Sequence, residues 1–264
     1  MDGFLIVSKV DRLEEYKQIA DRYHVGFELN DFYDPKVLDD EAEQERIIQQ
    51  YLQAGIPDDS TMHGAFFDIV VFSHDDKIAE ISRMRLRQSM EIAKRIGVKA
   101  VIFHTNANPM LAGEIYDNNV IEKTTNCLEE LLLDYPDINI YLENMFDATP
   151  RILVNISKRL SKYPNYGICL DYAHAAISRL PMGDWVEALA PYLSHIHIND
   201  NDLKVDLHMP LGSGSINWNQ FAKYYRTTFD GCTVLIETTN PEDQIQSLNY
   251  LRDNFVGLFR NEPR

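Results

Sequence analysis

Residues 166–174 read YGICLDYAH, an apolar run of strand-like composition that ends in Asp171 and leads into a segment with helical periodicity. The same pairing occurs eight times along the chain. The predicted strands are Phe4–Ser8, Val25–Leu29, Thr61–His63, Ala100–His104, Ile138–Glu143, Tyr166–Asp171, His195–Asn199 and Val234–Glu237. This alternation predicts parallel strands that close into a single (β/α)₈ TIM barrel over residues 1–264.

The helical segments between these runs carry start and stop signals. Prolines at 150 and 241 stand at first-turn positions, and Gly97 follows a helix end. The rival fold is an open nucleotide-binding sheet, but the first strand is followed by no GxGxxG and the chain has no Walker motif. The clearest predicted helices are Arg12–Arg22, Glu41–Ala54, Ile78–Ile96, Ala112–Asp134, Thr149–Lys162 and Pro241–Asn254, with weaker ones after the sixth and seventh strands.

The composition is that of an ordinary globular protein, 45% hydrophobic and 25% charged. The formal net charge of -16 disfavours nucleic acid as a partner, because polyphosphates are bound through Lys and Arg patches. The three cysteines lack CxxC spacing and predict reduced thiols, which fits a cytoplasmic location. Neither a signal peptide nor a membrane span is expected, and assembly into a homo-oligomer is left open.

Side chains that bind metal ions stand at or next to the end of six predicted strands. In a (β/α)₈ barrel these ends share one mouth. One such residue is usually a cap or a surface charge, but several carboxylates buried together need a cation. A divalent-metal site at the mouth is therefore predicted. The six residues are His63, His104, Glu143, Asp171, His197 and Glu237.

Two local motifs extend this set. His174 follows Asp171 by three residues, which brings them together if the segment turns into a helix. Asp206 and His208 lie two residues apart, so in an extended loop both project to one side. Glycines at 212 and 214 permit the turn that returns this loop to the mouth.

Other histidines and acids near the strand ends are assigned differently. Alternation puts His195 and His197 on one face, and we assign the ligand role to His197 because it lies nearer the strand end. His195 would then lie one layer below. A structural role is expected for Glu28, with a contact to a ligand residue or to the substrate as the alternative. His24 and His74 are expected to be surface or packing residues.

These motifs resemble the xylose isomerase-like barrels, which include sugar isomerases and epimerases and the second family of apurinic/apyrimidinic endonucleases. The resemblance runs from about the third strand onward. It rests on His63-Gly-Ala-Phe, Val-Ile-Phe-His104, Leu-Glu143-Asn, Gly-Ile-Cys-Leu-Asp171 with His174, residues 197–214, and Ile-Glu237.

The two branches imply different sites. The endonuclease branch implies three zinc ions, held here by His63, His104, Glu143, Asp171, His174, His197, Asp206, His208 and Glu237. The isomerase branch implies one divalent ion, often manganese, on Glu143, Asp171, His197 and Glu237. In that branch Glu143 and Glu237 also move protons. Imidazole and carboxylate without thiolate suit zinc, manganese or iron, so the metal and the number of ions stay open.

Several positions depart from the endonuclease pattern. Phe66 and Asp68 stand where Tyr and Asn are usual, Tyr172 replaces Thr, the loop before Asp206 is shorter, and Leu207 replaces a basic residue. With the acidic charge, these departures favour a metal-dependent isomerase or epimerase of a sugar, sugar phosphate or polyol, working through an enediolate. The alternative is a zinc-dependent phosphodiester hydrolase, and a non-catalytic metal- or sugar-binding barrel is the third reading.

Aromatic and basic side chains near the mouth are expected to contact the substrate. The predicted set is Phe66, Phe146, Tyr172 and Trp218, with Lys204 as a candidate contact for an anionic group. Aromatic side chains set specificity through the shape of the pocket they line.

Overall fold

Eight parallel strands pair in chain order, and the last pairs with the first, in a computed structural model that describes residues 3–111 and 113–255. This closes the sheet and confirms the predicted (β/α)₈ barrel. The strands are β1 (Phe4–Ser8), β2 (Gly26–Leu29), β3 (Thr61–His63), β4 (Ala100–His104), β5 (Asn139–Glu143), β6 (Tyr166–Asp171), β7 (Leu193–Ile198) and β8 (Thr233–Ile236).

The seventh and eighth strands differ most from their predicted bounds. β7 begins at Leu193 and ends at Ile198, because the chain then leaves the sheet and Asp200 pairs with Met209 in a separate bridge. β8 ends at Ile236, so Glu237 is the first residue of the following loop. The predicted ends of the other strands that carry site residues, β3 to β6, are confirmed.

The helices surround the barrel. Residues 35–39, which were not predicted as helical, form a short helix because Asp34 accepts a hydrogen bond from Lys36 N and Pro35 occupies the first turn. Ala112, where one predicted helix begins, lies outside the described residues. The helices are α1 (Leu13–Tyr23), α2 (Pro35–Asp39), α3 (Glu41–Ala54), α4 (Asp76–Ile96), α5 (Glu114–Asp134), α6 (Arg151–Leu160), α7 (Tyr172–Ile177), α8 (Met182–Leu189), α9 (Trp218–Thr227) and α10 (Pro241–Asn254).

The predicted helix signals act as capping groups. Gly97 ends α4 in the left-handed conformation with φ of 89° and donates its N–H to Ala93 O. Asn240 caps α10 by accepting a hydrogen bond from Asp243 N. The helix after the fifth strand begins at Arg151, just after Pro150, rather than at Thr149.

The core lies between the barrel and its helices, and the strands are buried on both faces. β1 is buried throughout, as parallel strands covered by helices must be. All three cysteines are buried free thiols. Within the described ranges, every helix is too short or too polar to cross a membrane.

Candidate metal centre

The first group of donor atoms combines the ends of three neighbouring strands. His63 Nε2 lies 3.2 Å from His104 Nε2, and Glu143 Oε2 lies 3.7 and 3.1 Å from those two nitrogens. His63 Nδ1 is 3.0 Å from Gly64 O and donates to it, so its Nε2 carries a lone pair. Ligands on a tetrahedral zinc ion lie about 3.4 Å apart when the Zn–N bonds are 2.0–2.1 Å. The separations match metal coordination.

The second group lies at the centre of the mouth. One ligand atom from each of Glu143, Asp171, His197 and Glu237 lies within 4.8 Å of the others. His197 Nδ1 is 3.2 Å from Glu143 Oε1 and 3.7 Å from Glu237 Oε2. Glu143 therefore faces the first group with one oxygen and the second with the other, as a bridging carboxylate does.

Asn144 links the ends of β5 and β6, which carry two members of the second group. Its side-chain amide donates to Asp171 O at 3.0 Å, and its side-chain oxygen accepts from Asp171 N at 2.9 Å. Asp171 also caps α7 by accepting from His174 N at 2.6 Å. This confirms the expected helical turn between these two residues.

The third group combines His174, on the first turn of α7, with Asp206 and His208 on the loop after β7. His174 Nε2 and His208 Nε2 lie 3.1 and 2.9 Å from the same atom, Asp206 Oδ2. His174 Nδ1 donates to Asn144 O, and His208 Nδ1 donates to Glu237 O. Both Nε2 atoms of the neutral rings therefore carry lone pairs aimed at a carboxylate oxygen. Protons or a cation must separate them.

The loop reaches this position differently from the expectation. His208 has a φ of 47°, so the segment turns at His208 and is not extended there. The physical reason is the hydrogen bond from its Nδ1 to Glu237 O, which draws the ring toward β8. Asp206 and His208 still meet, but through this turn.

The electrostatics of the second group also favour a bound cation. Burial raises the pKa of Asp171 to about 8; the charge of His174 opposes this rise, and the Glu237 and Glu143 carboxylates add to it. Within the described part of the chain, neither carboxylate oxygen of Glu143 accepts a hydrogen bond, nor does Asp171 Oδ2. Buried carboxylates without hydrogen bonds are costly, and a divalent ion relieves that cost. The donor set fits divalent metals.

Two of the predicted aromatic residues lie at the mouth. The Phe66 ring is 5.0 Å from the His63 ring and 5.1 Å from the His104 ring. Phe146 is 45% exposed, with its ring 5.0 Å from that of His174. Sequence reasoning missed Tyr33, which stacks on Phe66 and carries Lys9 over its own ring.

The other two predicted aromatic residues pack into the core. Tyr172 is buried because α7 begins there and turns its ring toward Phe221, at 5.3 Å. Trp218 is also buried and donates its indole N–H to Asp200 Oδ2 at 2.9 Å. Both therefore lie behind the mouth. Lys204 is exposed on the loop before Asp206.

Asp200, which sequence reasoning also missed, anchors the loop that carries Asp206 and His208. This buried carboxylate accepts hydrogen bonds from Gly212 N, Ile216 N and the Trp218 indole. Two features of the sequence could have indicated this role. Asp200 lies three residues after His197, and Gly212 and Gly214 follow it.

The barrel and its mouth define a (β/α)₈ protein with a candidate metal centre of several donor groups. The sequence profile of the xylose isomerase-like TIM barrels matches residues 24–254, and the chain belongs to this family. It is 29% identical to the uncharacterized protein MJ1311 of Methanocaldococcus jannaschii over 73% of this chain and 68% of that protein. It is 25% identical to a probable endonuclease 4 of Halorhodospira halophila, over 76% and 74%.

Among solved structures, a D-tagatose 3-epimerase-like protein shares the fold. Its TM-score is 0.75 at 23% identity, covering 95% of this chain and 96% of the other. The chain is therefore similar to proteins named after both branches of the resemblance.

Proposed function

We propose that this chain is a divalent-metal-dependent enzyme that hydrolyses a phosphate ester of a small sugar or polyol. The observation that carries this proposal is the third group, His174, Asp206 and His208, in addition to the two groups at the strand ends. One-metal proton transfer needs only the second group. Three neighbouring donor groups, two of which share Glu143, suit hydrolysis that uses several metal ions.

Charge supports an anionic substrate. The three groups contain four carboxylates, those of Glu143, Asp171, Asp206 and Glu237. With a divalent ion in each group the centre would be net positive, and it would attract a phosphate group. With an ion in the second group alone, this ion and protons on His174 and His208 would balance the four carboxylates and favour a neutral ligand.

The residues have separate tasks in this proposal. Divalent ions bound here would supply Lewis acidity, which neutralises phosphate oxygens and lowers the pKa of water. Glu143 would bridge the first and second groups, and Asp206 would orient the third. The backbone carbonyls of Gly64, Asn144 and Glu237 accept Nδ1–H and so keep Nε2 of His63, His174 and His208 turned inward.

The walls of the mouth favour a small substrate over duplex DNA. Phe66 and Phe146 flank the donors, and the chain carries a net charge of -16. A DNA-binding surface needs several phosphate contacts from Lys and Arg. Lys204 is the predicted contact for an anionic substrate group, on an exposed loop.

The second candidate is the isomerase or epimerase expected from the sequence. It is favoured by the placement of Glu143 and Glu237, whose carboxylates both face His197 Nδ1 across the second group. In this candidate the two glutamates would remove and return a proton next to a carbonyl, through an enediolate. A single zinc or manganese ion suffices for it.

One set of assays separates the candidates. The protein would be loaded with zinc or manganese, its metal content measured, and sugar phosphates, free ketoses in D₂O and an abasic-site duplex supplied in parallel. We expect about three ions per chain and release of inorganic phosphate. Deuterium incorporation into a ketose, with one ion and no phosphate release, would establish the second candidate instead. Nicking of the duplex at low salt would contradict the small substrate.

A further inference from the structure

Below the second donor group, a carboxylate is buried inside the barrel. Glu28, on β2, is 1% exposed. Its Oε1 lies 3.3 Å from His197 Nε2, and its Oε2 lies 3.4 Å from His195 Nε2. Thr61 donates its hydroxyl to Oε2 at 2.7 Å. The carboxylate thus lies between two imidazoles, one of which belongs to the metal centre.

The ring of His197 therefore faces two different environments. Its Nδ1 points toward Glu143 and Glu237 at the mouth, and its Nε2 points down toward Glu28. A neutral imidazole carries one proton, so the two nitrogens cannot both be donors. Whichever nitrogen holds the proton decides whether Nδ1 can bind a metal.

The Glu28 carboxylate favours a proton on Nε2 of His197, which leaves the Nδ1 lone pair facing the mouth. A carboxylate buried in a barrel is destabilising unless N–H or O–H donors surround it. Among the described residues, Thr61 supplies one donor, and the other polar groups facing Glu28 are the Nε2 atoms of His195 and His197. His195 Nδ1 lies 2.5 Å from Thr233 Oγ1, so the hydroxyl can donate to it while Nε2 keeps its proton.

We propose that Glu28 is the positioning residue of the metal centre: it holds the proton of His197 on Nε2 and thereby turns the Nδ1 lone pair toward Glu143 and Glu237. His195, supported by Thr233, holds Glu28 from the opposite side. The inference rests on the metal centre of the proposed function, but it does not depend on which reaction that centre performs.

Metal binding tests the role of Glu28 without any substrate. Glu28→Gln keeps the shape of the side chain and removes its charge. We expect the second group to lose affinity by about 10–100-fold in a zinc-chelator competition, the range typical of groups that orient a ligand. The third group should keep its affinity, because its residues do not contact Glu28.

The matched control is Thr61→Val, which removes the other donor to Glu28 but keeps the carboxylate and both imidazoles. We expect its zinc affinity to stay within about threefold of wild type. Thr61 donates to Oε2 of Glu28, whereas His197 faces Oε1. Thermal unfolding of both metal-free variants shows whether each is folded. Equal weakening of every metal group by Glu28→Gln, in step with a lower Tm, would show a merely structural role and overturn the inference.

The wild-type protein offers a second test if Glu28→Gln does not fold. Long-range ¹H–¹⁵N NMR on ¹¹³Cd-loaded protein should show His197 protonated at Nε2, with cadmium coupled to Nδ1. Coupling to Nε2 would overturn the proposal. Binding of an ion by Cys169, His195 and His197, whose donor atoms also lie within 4.8 Å of one another, would overturn the proposal as well. A wild-type protein without phosphatase activity that passes these tests would contradict only the proposed function.

Discussion

The candidate ligands at the ends of strands and those on the loop after β7 are held in different ways. His63, Glu143 and His197 lie on strands and are at most 2% exposed. His208, in the third group, lies on a loop, and its side chain is 31% exposed. The strand ligands are positioned by the barrel, whereas the loop ligands are positioned by hydrogen bonds to backbone carbonyls and by the Asp200 anchor.

This difference indicates a division of roles. The two strand-held groups share Glu143 and should bind metal as one rigid unit. The third group lies beside them and depends on the turn at His208, which can shift. We therefore expect changes in the strand-held groups to remove function, and changes in the loop to reduce it.

The largest effect is expected from Glu143→Gln. An amide cannot bridge two metal groups, so both strand-held groups should lose affinity and turnover should fall by about 1,000-fold. Metal content and kcat/KM would be measured together. Glu80→Gln, an exposed change of the same kind on α4, is the control and should behave like wild type. Retained turnover in Glu143→Gln would exclude a bridging role.

A smaller effect is expected from Asp206→Asn. It removes the carboxylate that His174 and His208 both face, so one ion should be lost and kcat/KM should fall by about 10–100-fold. The strand-held ions should stay bound. Leu207→Ala, at the exposed neighbouring position, tests whether disturbing the loop is enough. If it reproduced the loss of the ion, the role of the carboxylate would be disproved.

The charge of the third group, which contains His174 and His208, should also depend on pH. Burial opposes protonation of His174, but the charges of Asp171 and Asp206 raise its pKa to about 10. For His208, burial again opposes, and Glu237 and Asp206 raise the pKa to about 10. Because these folded-state pKa values exceed the unfolded ones, the metal-free protein gains stability below about pH 6.5 and loses it as pH rises toward 10.

Metal binding must displace these protons, so the zinc affinity of the loop group should rise between pH 6.5 and 10, by up to about tenfold per unit for each proton released. Chelator competition on wild type and Asp206→Asn would measure this dependence. A zinc affinity of wild type that did not change with pH would mean that His174 and His208 do not bind the metal.

The smallest effect is expected from Gly214→Ala. A Cβ at this position would lie 2.4 Å from Asn201 O and 2.4 Å from Asp200 Oδ1, so the loop anchor must shift. We expect the free energy of unfolding to fall by about 1–3 kcal/mol and the loop ion to bind a few-fold more weakly. Gly113→Ala, where a Cβ meets no atom within 4 Å, is the control. If Gly214→Ala bound this ion as tightly as wild type, the Asp200 anchor would not control the metal affinity of the third group.

The sequence predicted much of the candidate site because parallel strands align their carboxyl ends. His63, His104, Glu143 and Asp171 were identifiable as strand ends, and they are the last residues of β3 to β6. The aromatic residues were less predictable. Tyr172 directly follows Asp171, and Phe66 lies three residues after His63, yet Tyr172 packs into the core. Helix direction after a strand end determines this, and residue spacing does not specify it.

The amino-acid sequence by itself determined the order of strands and helices, the barrel class and the residue types available at the mouth, because these follow from hydrophobic periodicity and local capping. Only the tertiary structure decided which donors share a position, which nitrogen of each imidazole faces inward, and that Glu28 lies against His197. Those properties depend on distances across the closed barrel between residues far apart in the chain. Closure of all eight strands sets such distances together.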